Sequence, residues 1–330
     1  MTYSAEEPFL HEYNVFEDKE HVRQKAYDYA VALMFACLFP VMRYILDRTL
    51  LETWGRRVLR LPAHPKKADD APTNAQLETL EKFKESAYKC IVQIILTSLL
   101  AVVVSTNDWA WHTRLLWSEC EKLPCQAPVS LGERLIYCVE LGFYVQAIPM
   151  LFLWETKRKD RLENFAHHVA TIALIAYSYF LNLTRVGIMV LVCHEANDIF
   201  LEAAKMGRYI EAQRLTDLAL GTFVTTWFVT RVFAFPLVVI RSTLFEAMDV
   251  AQELELQIQP HHAILNGFLI FLYCLHIYWT YLILRIAFTR VKKGEVEDIR
   301  ENKVPKSQAE AATEAKLPHE PSVGQLADKM

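Results

Sequence analysis

Residues 162–205 constrain this chain more than any other stretch. They read LENFAHHVATIALIAYSYFLNLTRVGIMVLVCHEANDIFLEAAK. Two apolar runs flank a short polar turn, Asn182, Leu183, Thr184 and Arg185. Each run reaches or nearly reaches the roughly 20 residues that a helix needs to cross hydrocarbon. Yet His167 and His168 lie in the first run, and His194, Glu195 and Asp198 in the second. Ionisable groups at that depth are expensive, so they face a polar interior and mark a functional site. An antiparallel hairpin that starts near Asn164 puts His168 about four residues inside, roughly 6 Å at the helical rise. A second helix that leaves the membrane near Lys205 puts Asp198 about seven residues inside, roughly 10 Å. The doublet and the acidic cluster are therefore expected on one side of the membrane. His194, Asp198 and Glu202 follow i, i+4, i+8 spacing and share a helix face. Two histidines opposite a carboxylate form a proton-handling arrangement.

The rest of the chain has the same character. It is 53% hydrophobic and 22% charged over 330 residues, with the charges gathered between long apolar runs. The pattern predicts an all-α polytopic membrane protein of about seven spans. These are 29–46, interrupted by Pro40; 88–105; 135–154; the two arms of the hairpin; 215–240; and 263–288. Residues 1–28 read as a polar N-terminal segment without the form of a signal peptide. Residues 29–50 hold the first span, 51–86 a cytosolic basic linker broken by Pro62, Pro65 and Pro72, and 291–330 a disordered cytosolic tail.

Basic residues in short loops set the orientation. Arg56, Arg57, Lys66 and Lys67 follow the first span, and Lys157, Arg158, Lys159 and Arg161 the third. Lys205, Arg208 and Arg214 follow the fifth, and Arg290, Lys292 and Lys293 the seventh. The alternate loops hold only Arg114 and Lys122, then Arg185, then Arg241. The N-terminus is thus expected in the lumen and the tail in the cytosol, with the histidine doublet toward the cytosol.

Several residues carry a structural reading beside a functional one. Glu195 and Asp198 could form an ion network with Arg231 or Lys205. Arg231 and His276 are single polar groups in apolar helices, where they tie helices together or meet substrate. Cys120 and Cys125 form a close pair in a predicted lumenal loop, where a disulfide is allowed. The sequon at Asn182 sits in a tight turn, and modification is not expected there. Histidine spacings of the membrane di-iron type are missing, so no metal is expected. P-loop, GxGxxG, GxSxG and CxxC motifs are missing too. Nothing supports a nucleic-acid partner.

The stretches WETKRKD, the His167-His168 doublet, SYFLNLTRVG, HEAND through LEAAK, and the later FP and LHIYW pieces resemble the signature of ceramide synthases, within the TLC-domain superfamily. The resemblance covers about residues 87–293, and 87–290 would be the TLC catalytic domain. Where the family usually has Asp and then Ser-Asp, this chain has Glu195 and then Asn197-Asp198, which leaves the role of Glu195 open.

The resemblance implies an endoplasmic reticulum enzyme. It would pass a long-chain acyl group from acyl-CoA to a sphingoid base, with no bound cofactor and with membrane lipid around it. It also implies a TLC-type barrel of the last six spans around a central cavity. A non-enzymatic lipid-sensing or translocation-associated TLC protein is the alternative, and a homodimer or a small regulatory subunit stays open. In this reading His167 or His168 takes the amine proton, Asp198 orients it, and His194 and Glu195 support the site. Lys157, Arg158 and Lys159 hold the CoA phosphates. The second doublet histidine, Tyr177 or Asn182 would donate to the oxyanion. The loop 241–262 would limit acyl length.

Overall fold

Each apolar run becomes helix, and the helices extend past the runs wherever charged residues pair along them. The structure, a computed structural model, describes residues 19–62, 71–156 and 159–293. Among these residues there are only helices and connecting segments. The expectations for 1–18, for 63–70 of the linker, for Lys157 and Arg158, and for 294–330 lie outside the described residues.

Helix α1 spans Lys19–Leu46 and passes through a π-helical turn, Asp47–Leu51, into α2, Glu52–Val58. The interruption expected at Pro40 does not occur, because Pro40 sits inside α1. Packed neighbours allow a membrane helix to carry a proline. Helix α3, Asn74–Ser105, begins well before residue 88. Its opening turns are charged, which hides them from a hydropathy reading. They are secured by a capping box between Thr73 and Gln76 and by i,i+4 pairs such as Glu78–Lys82 at 2.9 Å.

Ser130 and Glu133 form a second capping box, at the start of α4, Leu131–Leu153. The hairpin follows as α5, Arg161–Phe180, and α6, Thr184–Tyr209. Asn182 makes the turn between them with φ of 61°, a left-handed conformation that asparagine tolerates.

Helix α7, Gln213–Trp227, runs on through π-helical turns at Phe228–Ile240 and Ser242–Glu246 into α8, Ala247–Glu253. This corrects the expected end at residue 240. Pro236 lies within the π-helical stretch, whose wider turns accommodate the missing N–H without ending the helix. Only the short stretch 254–260 is left as a loop before α9, His261–Lys293.

Lys19–Val58, Asn74–Ser105, Leu131–Leu153, Gln213–Glu253 and His261–Phe288 are long and apolar enough to cross a membrane. The hairpin arms are diluted by their own polar residues. Leu33, Met34 and Leu38 on α1, Ile94, Ile95 and Val102 on α3, and Val229, Phe233 and Leu237 past α7 are exposed. Apolar surface of this extent needs lipid to cover it.

Helix α3 packs on α6, α6 on α7, α9 on α5 and on the π-helical stretch, α5 on α4, and α4 on α3. Helix α1 packs against α4. Glycine allows two of these approaches. A Cβ at Gly142 would stand 2.6 Å from the Ala32 carbonyl of α1, and one at Gly187 would collide with the Tyr137 hydroxyl of α4. Polar ties add to the packing of α1. Asp28 pairs with Arg134 at 2.8 Å and accepts from the Tyr179 hydroxyl, and Lys25 donates to Asn182.

The connection between α3 and α4 is anchored on both sides. Cys120 and Cys125 are joined within it as a disulfide. Arg185 donates to Ser118, Asn182 to the Cys125 carbonyl, and the Trp117 indole to Ser242 at 2.9 Å.

Gly187→Val should overpack the α4–α6 contact and cost at least about 1–3 kcal/mol. Gly221→Ala, in open space on α7, should leave stability equal or slightly raised. Thermal denaturation in detergent, followed by size-exclusion chromatography, checks both outcomes.

Candidate active site

Two cavities approach each other inside the helices, and Tyr144 of α4 stands in the wall of both. One is polar and encloses about 1910 Å³ up to its mouth. Its wall includes His167, His168, Asp198 and Arg231, together with Lys89, Glu155, Lys205 and Arg208. The other is apolar and spans about 1030 Å³ with the space at its opening included. It runs past His194, Val190 and Val186 to Leu183, and Trp117, Cys120, Leu123 and Thr243 also line it. A polar chamber and an apolar chamber therefore share one partition, and the histidines lie at it.

The doublet occupies the partition from the α5 side. The His167 and His168 ring centroids lie 5.6 Å apart with their planes at 51°, as consecutive helical positions require. His167 also faces the rings of Trp279 at 5.5 Å, Tyr144 at 6.2 Å and His194 at 6.2 Å, the last nearly parallel. His168 faces Tyr144 at 5.7 Å. The Nδ1 atoms of both doublet histidines are enclosed and have no hydrogen-bond partner among the described residues. A buried polar nitrogen without a partner is costly. Here both belong to side chains that border a polar cavity able to bring one.

Asp198 lines the same cavity, but it does not bond the doublet. Its Oδ1 accepts from Arg231 Nη2 at 2.9 Å, and that guanidinium also donates to the His194 carbonyl at 2.7 Å. Arg231 stacks over Trp227 at 4.4 Å. The expected His–Asp198 orienting bond is thus replaced by an ion pair. The cation on the neighbouring helix is the stronger partner for a carboxylate.

Glu195 is turned away from both cavities and is 1% exposed. Tyr144 donates to its Oε1 at 2.9 Å and Gln93 to its Oε2 at 2.7 Å. It binds α3, α4 and α6 together beneath the partition. Glu202 and Lys205 pair at 2.6 Å in the polar wall.

His194 is held by two bonds. Its Nδ1 lies 2.6 Å from the Val190 carbonyl, which can only accept, so Nδ1 carries the hydrogen. In a neutral ring Nε2 is then an acceptor, and His276 Nε2 donates to it across 2.9 Å. His276 is fully enclosed between His194, Phe235 and Trp227 and borders neither cavity. Its expected substrate contact becomes a supporting one. Arg231, by contrast, reaches the cavity wall.

Tyr177 lies far along α5 from the doublet, and Asn182 in the turn beyond that helix. Nine to fifteen residues separate them from it, roughly 14–22 Å at the helical rise. Tyr177 bonds His261 Nδ1 at 2.6 Å, and Asn182 bonds Lys25, Cys125 and Ala127. Neither reaches an oxyanion beside His167. Lys159 is exposed just before α5, and the basic wall of the polar cavity is drawn instead from Arg43, Lys89, Arg161, Lys205 and Arg208. Cys120 borders the far end of the apolar cavity.

Sequence reasoning missed Tyr144, Gln93, Trp279 and Arg43. Arg43, on α1, and Gln93, inside an apolar run, carry the signal of a polar residue in a membrane helix. Tyr144 and Trp279 carry none, since aromatic rings are ordinary there.

An all-helical membrane protein with a histidine doublet between a polar and an apolar chamber is the class defined by fold and site. The model of the TLC domain matches residues 82–285. Ceramide synthase 1 LOH3 of Arabidopsis thaliana is 33% identical over 291 residues, 85% of this chain and 92% of that protein. Ceramide synthase LOH1 of the same plant is 33% identical over 276 residues, 81% of this chain and 88% of that protein. Ceramide synthase 5 of Homo sapiens is 34% identical over 245 residues, 74% of this chain and 58% of the human protein. The chain belongs to the ceramide synthase family of TLC-domain proteins.

Tyr144→Phe removes one donor from a buried carboxylate and should cost about 1–3 kcal/mol. Combined with Glu195→Gln, the loss should fall short of the sum of the single losses, because the two residues are bonded. Denaturation midpoints of the two single variants and the double variant measure this.

Proposed function

We propose that the chain transfers a long-chain acyl group from acyl-CoA to the amine of a sphingoid base, releasing CoA and forming a ceramide or dihydroceramide. The family relationship supports this. The observation that carries it in the molecule is the doublet with unpartnered Nδ1 atoms, set between a chamber suited to polar headgroups and one suited to a lipid chain.

The amine arrives as an ammonium and must lose a proton before it can attack. His168 or His167, both in the polar wall, accepts that proton at an imidazole nitrogen. The amine nitrogen then bonds to the thioester carbonyl carbon, and the C–S bond breaks. The leaving thiolate takes the proton from the imidazolium, and the acylated nitrogen sheds its extra proton to water of the polar cavity, which leaves a neutral amide and the free base. General-base help of this kind is worth about 10²- to 10⁴-fold.

Asp198 acts through Arg231. The pair fixes the cation beside the doublet, where it stabilises charge that develops on the carbonyl oxygen. His276 sets the ring of His194, and His194 forms the apolar side of the partition. A covalent route is the second possibility, in which an imidazole nitrogen takes the acyl group first and the amine collects it.

The protein is read as lying in the endoplasmic reticulum membrane, with its N-terminus lumenal and its C-terminus cytosolic. The basic loops support that orientation. The polar cavity then opens toward cytosolic acyl-CoA. The circuit of packed pairs from α3 through α6, α7 and its π-helical continuation, α9, α5 and α4 supports a six-helix barrel, with α1 as an added seventh span.

The acyl chain would occupy the apolar cavity, where each buried CH₂ contributes about 0.8 kcal/mol. That cavity follows α6 from His194 to Leu183, roughly 16 Å at the helical rise. This is about half of a 30 Å hydrocarbon core, or one leaflet. Its far end is lined by the 241–262 segment and by Trp117 from the α3–α4 connection.

A non-enzymatic TLC protein would not depend on the doublet. Expression in a cell that lacks ceramide synthase should restore ceramide, and His167→Ala and His168→Ala should each lower its formation at least about a hundredfold. Restoration by both variants at the wild-type level would favour the non-enzymatic reading. Intact mass after incubation with acyl-CoA alone should show an acyl adduct only on the covalent route. Trp117→Ala should deepen the apolar cavity and shift the product profile toward longer acyl chains, read by lipid mass spectrometry. An unchanged profile would remove Trp117 as a length limit.

A further inference from the structure

We propose that Arg43 of α1 is the centre of a phosphate subsite in the polar cavity, and that it receives a phosphate group of the CoA thioester. The inference rests on the acyltransferase reading above and adds to it a residue outside the matched TLC range of 82–285.

Arg43 is 4% exposed and stands in the wall of the polar cavity. Its guanidinium lies over two aromatic rings, Trp154 at 4.8 Å and Tyr88 at 5.4 Å. Among the described residues its Nε has no hydrogen-bond acceptor. Asp47, one turn further along, is near enough to feel the charge but makes no ion pair with it.

Other cations of this wall are occupied. Lys89 pairs with Glu155 at 2.8 Å and with Glu85 at 3.1 Å, Lys205 with Glu202 at 2.6 Å, and Arg231 with Asp198 at 2.9 Å. A buried cation without an anion is strongly unfavourable, and the remedy is an anion that enters from the cavity. Aromatic faces hold the guanidinium plane and leave its edge of N–H groups for an acceptor. A fork of that shape matches phosphate oxygens.

Arg161 lies on the same wall at the start of α5, against Phe152, and its Nη2 also lacks a partner among the described residues. Phe152 lies in the last turn of α4, Trp154 directly follows that helix and Arg161 begins α5, so both guanidiniums bracket one corner of the cavity. A CoA phosphate held there leaves the thioester arm free to extend along the wall toward His168.

The test compares acyl-CoA with the same acyl group on N-acetylcysteamine, a thioester without phosphates, using the purified full-length protein. Arg43→Gln should raise the KM for acyl-CoA about tenfold and leave kcat nearly unchanged, with a much smaller effect on the phosphate-free thioester. Arg43→Lys, which keeps the charge and loses the fork, should recover part of the effect. An equal penalty on both thioesters, or none on acyl-CoA, would overturn the proposal.

Calorimetric binding of free CoA should weaken about tenfold in Arg43→Gln. That readout does not require turnover. A wild type that binds CoA but forms no ceramide would refute the acyltransferase reading and spare the subsite. If Arg43→Gln does not elute as a single folded species, Arg43→Lys carries the same comparison, with a severalfold loss expected. Repeating the rates in phosphatidylcholine discs with and without phosphatidylserine separates the sources of phosphate. A penalty seen only with the anionic lipid would assign Arg43 to a headgroup and overturn the CoA assignment.

Discussion

Inside hydrocarbon there is no water to complete a hydrogen bond, so each polar side chain must find its partner in another helix. Much of the arrangement around the candidate site follows from that requirement. Glu195 draws Tyr144 from α4 and Gln93 from α3. Asp198 draws Arg231 from the π-helical stretch, and His194 draws His276 from α9. Three neighbouring positions of α6 thus gather the helices around them. The polar residues that mark the site also specify which helices meet there.

The same requirement explains the separation of two chambers. Most polar atoms of α6 are consumed by these partnerships, and beyond His194 its inward residues are Leu191, Val190, Val186 and Leu183. That half of the interior is therefore apolar. Toward the other end, Asp198, Glu202 and Lys205 line the wall with charge. A substrate with a long chain and a polar reacting group meets both environments at the doublet. Trp279 and Tyr144 frame His167 and restrict its ring without bonding its nitrogens.

The second ordering influence is at the opposite end. The α3–α4 connection is pinned to the hairpin turn by Arg185 and Asn182, and to the segment after α7 through Trp117 and Ser242. Helix α1 fastens to the same turn through Lys25. These contacts build part of the wall of the apolar chamber and connect parts of the chain that are distant in sequence. Gly187 lets α6 pass against Tyr137 nearby, which keeps the hairpin tight against α4.

Much of this was legible in the residues themselves. Apolar runs of spanning length, the doublet in α5 and the acids of α6 imposed a helical membrane fold with a polar interior, because hydrocarbon tolerates few other arrangements. The partners could not be read. Asp198 was equally able to face His168, Lys205 or Arg231, and spacing along one helix does not say which neighbour stands opposite. Tyr177 and Asn182 looked available because they follow the doublet closely in sequence, yet helical rise carries Tyr177 to the far end of α5 and Asn182 into the turn beyond it. Arg43 and Tyr144, from helices outside the hairpin, entered the site only by packing. Local sequence decided which groups had to be buried, since that depends on each helix's own polarity. The tertiary structure decided what they are buried against, since that depends on how separate helices cross.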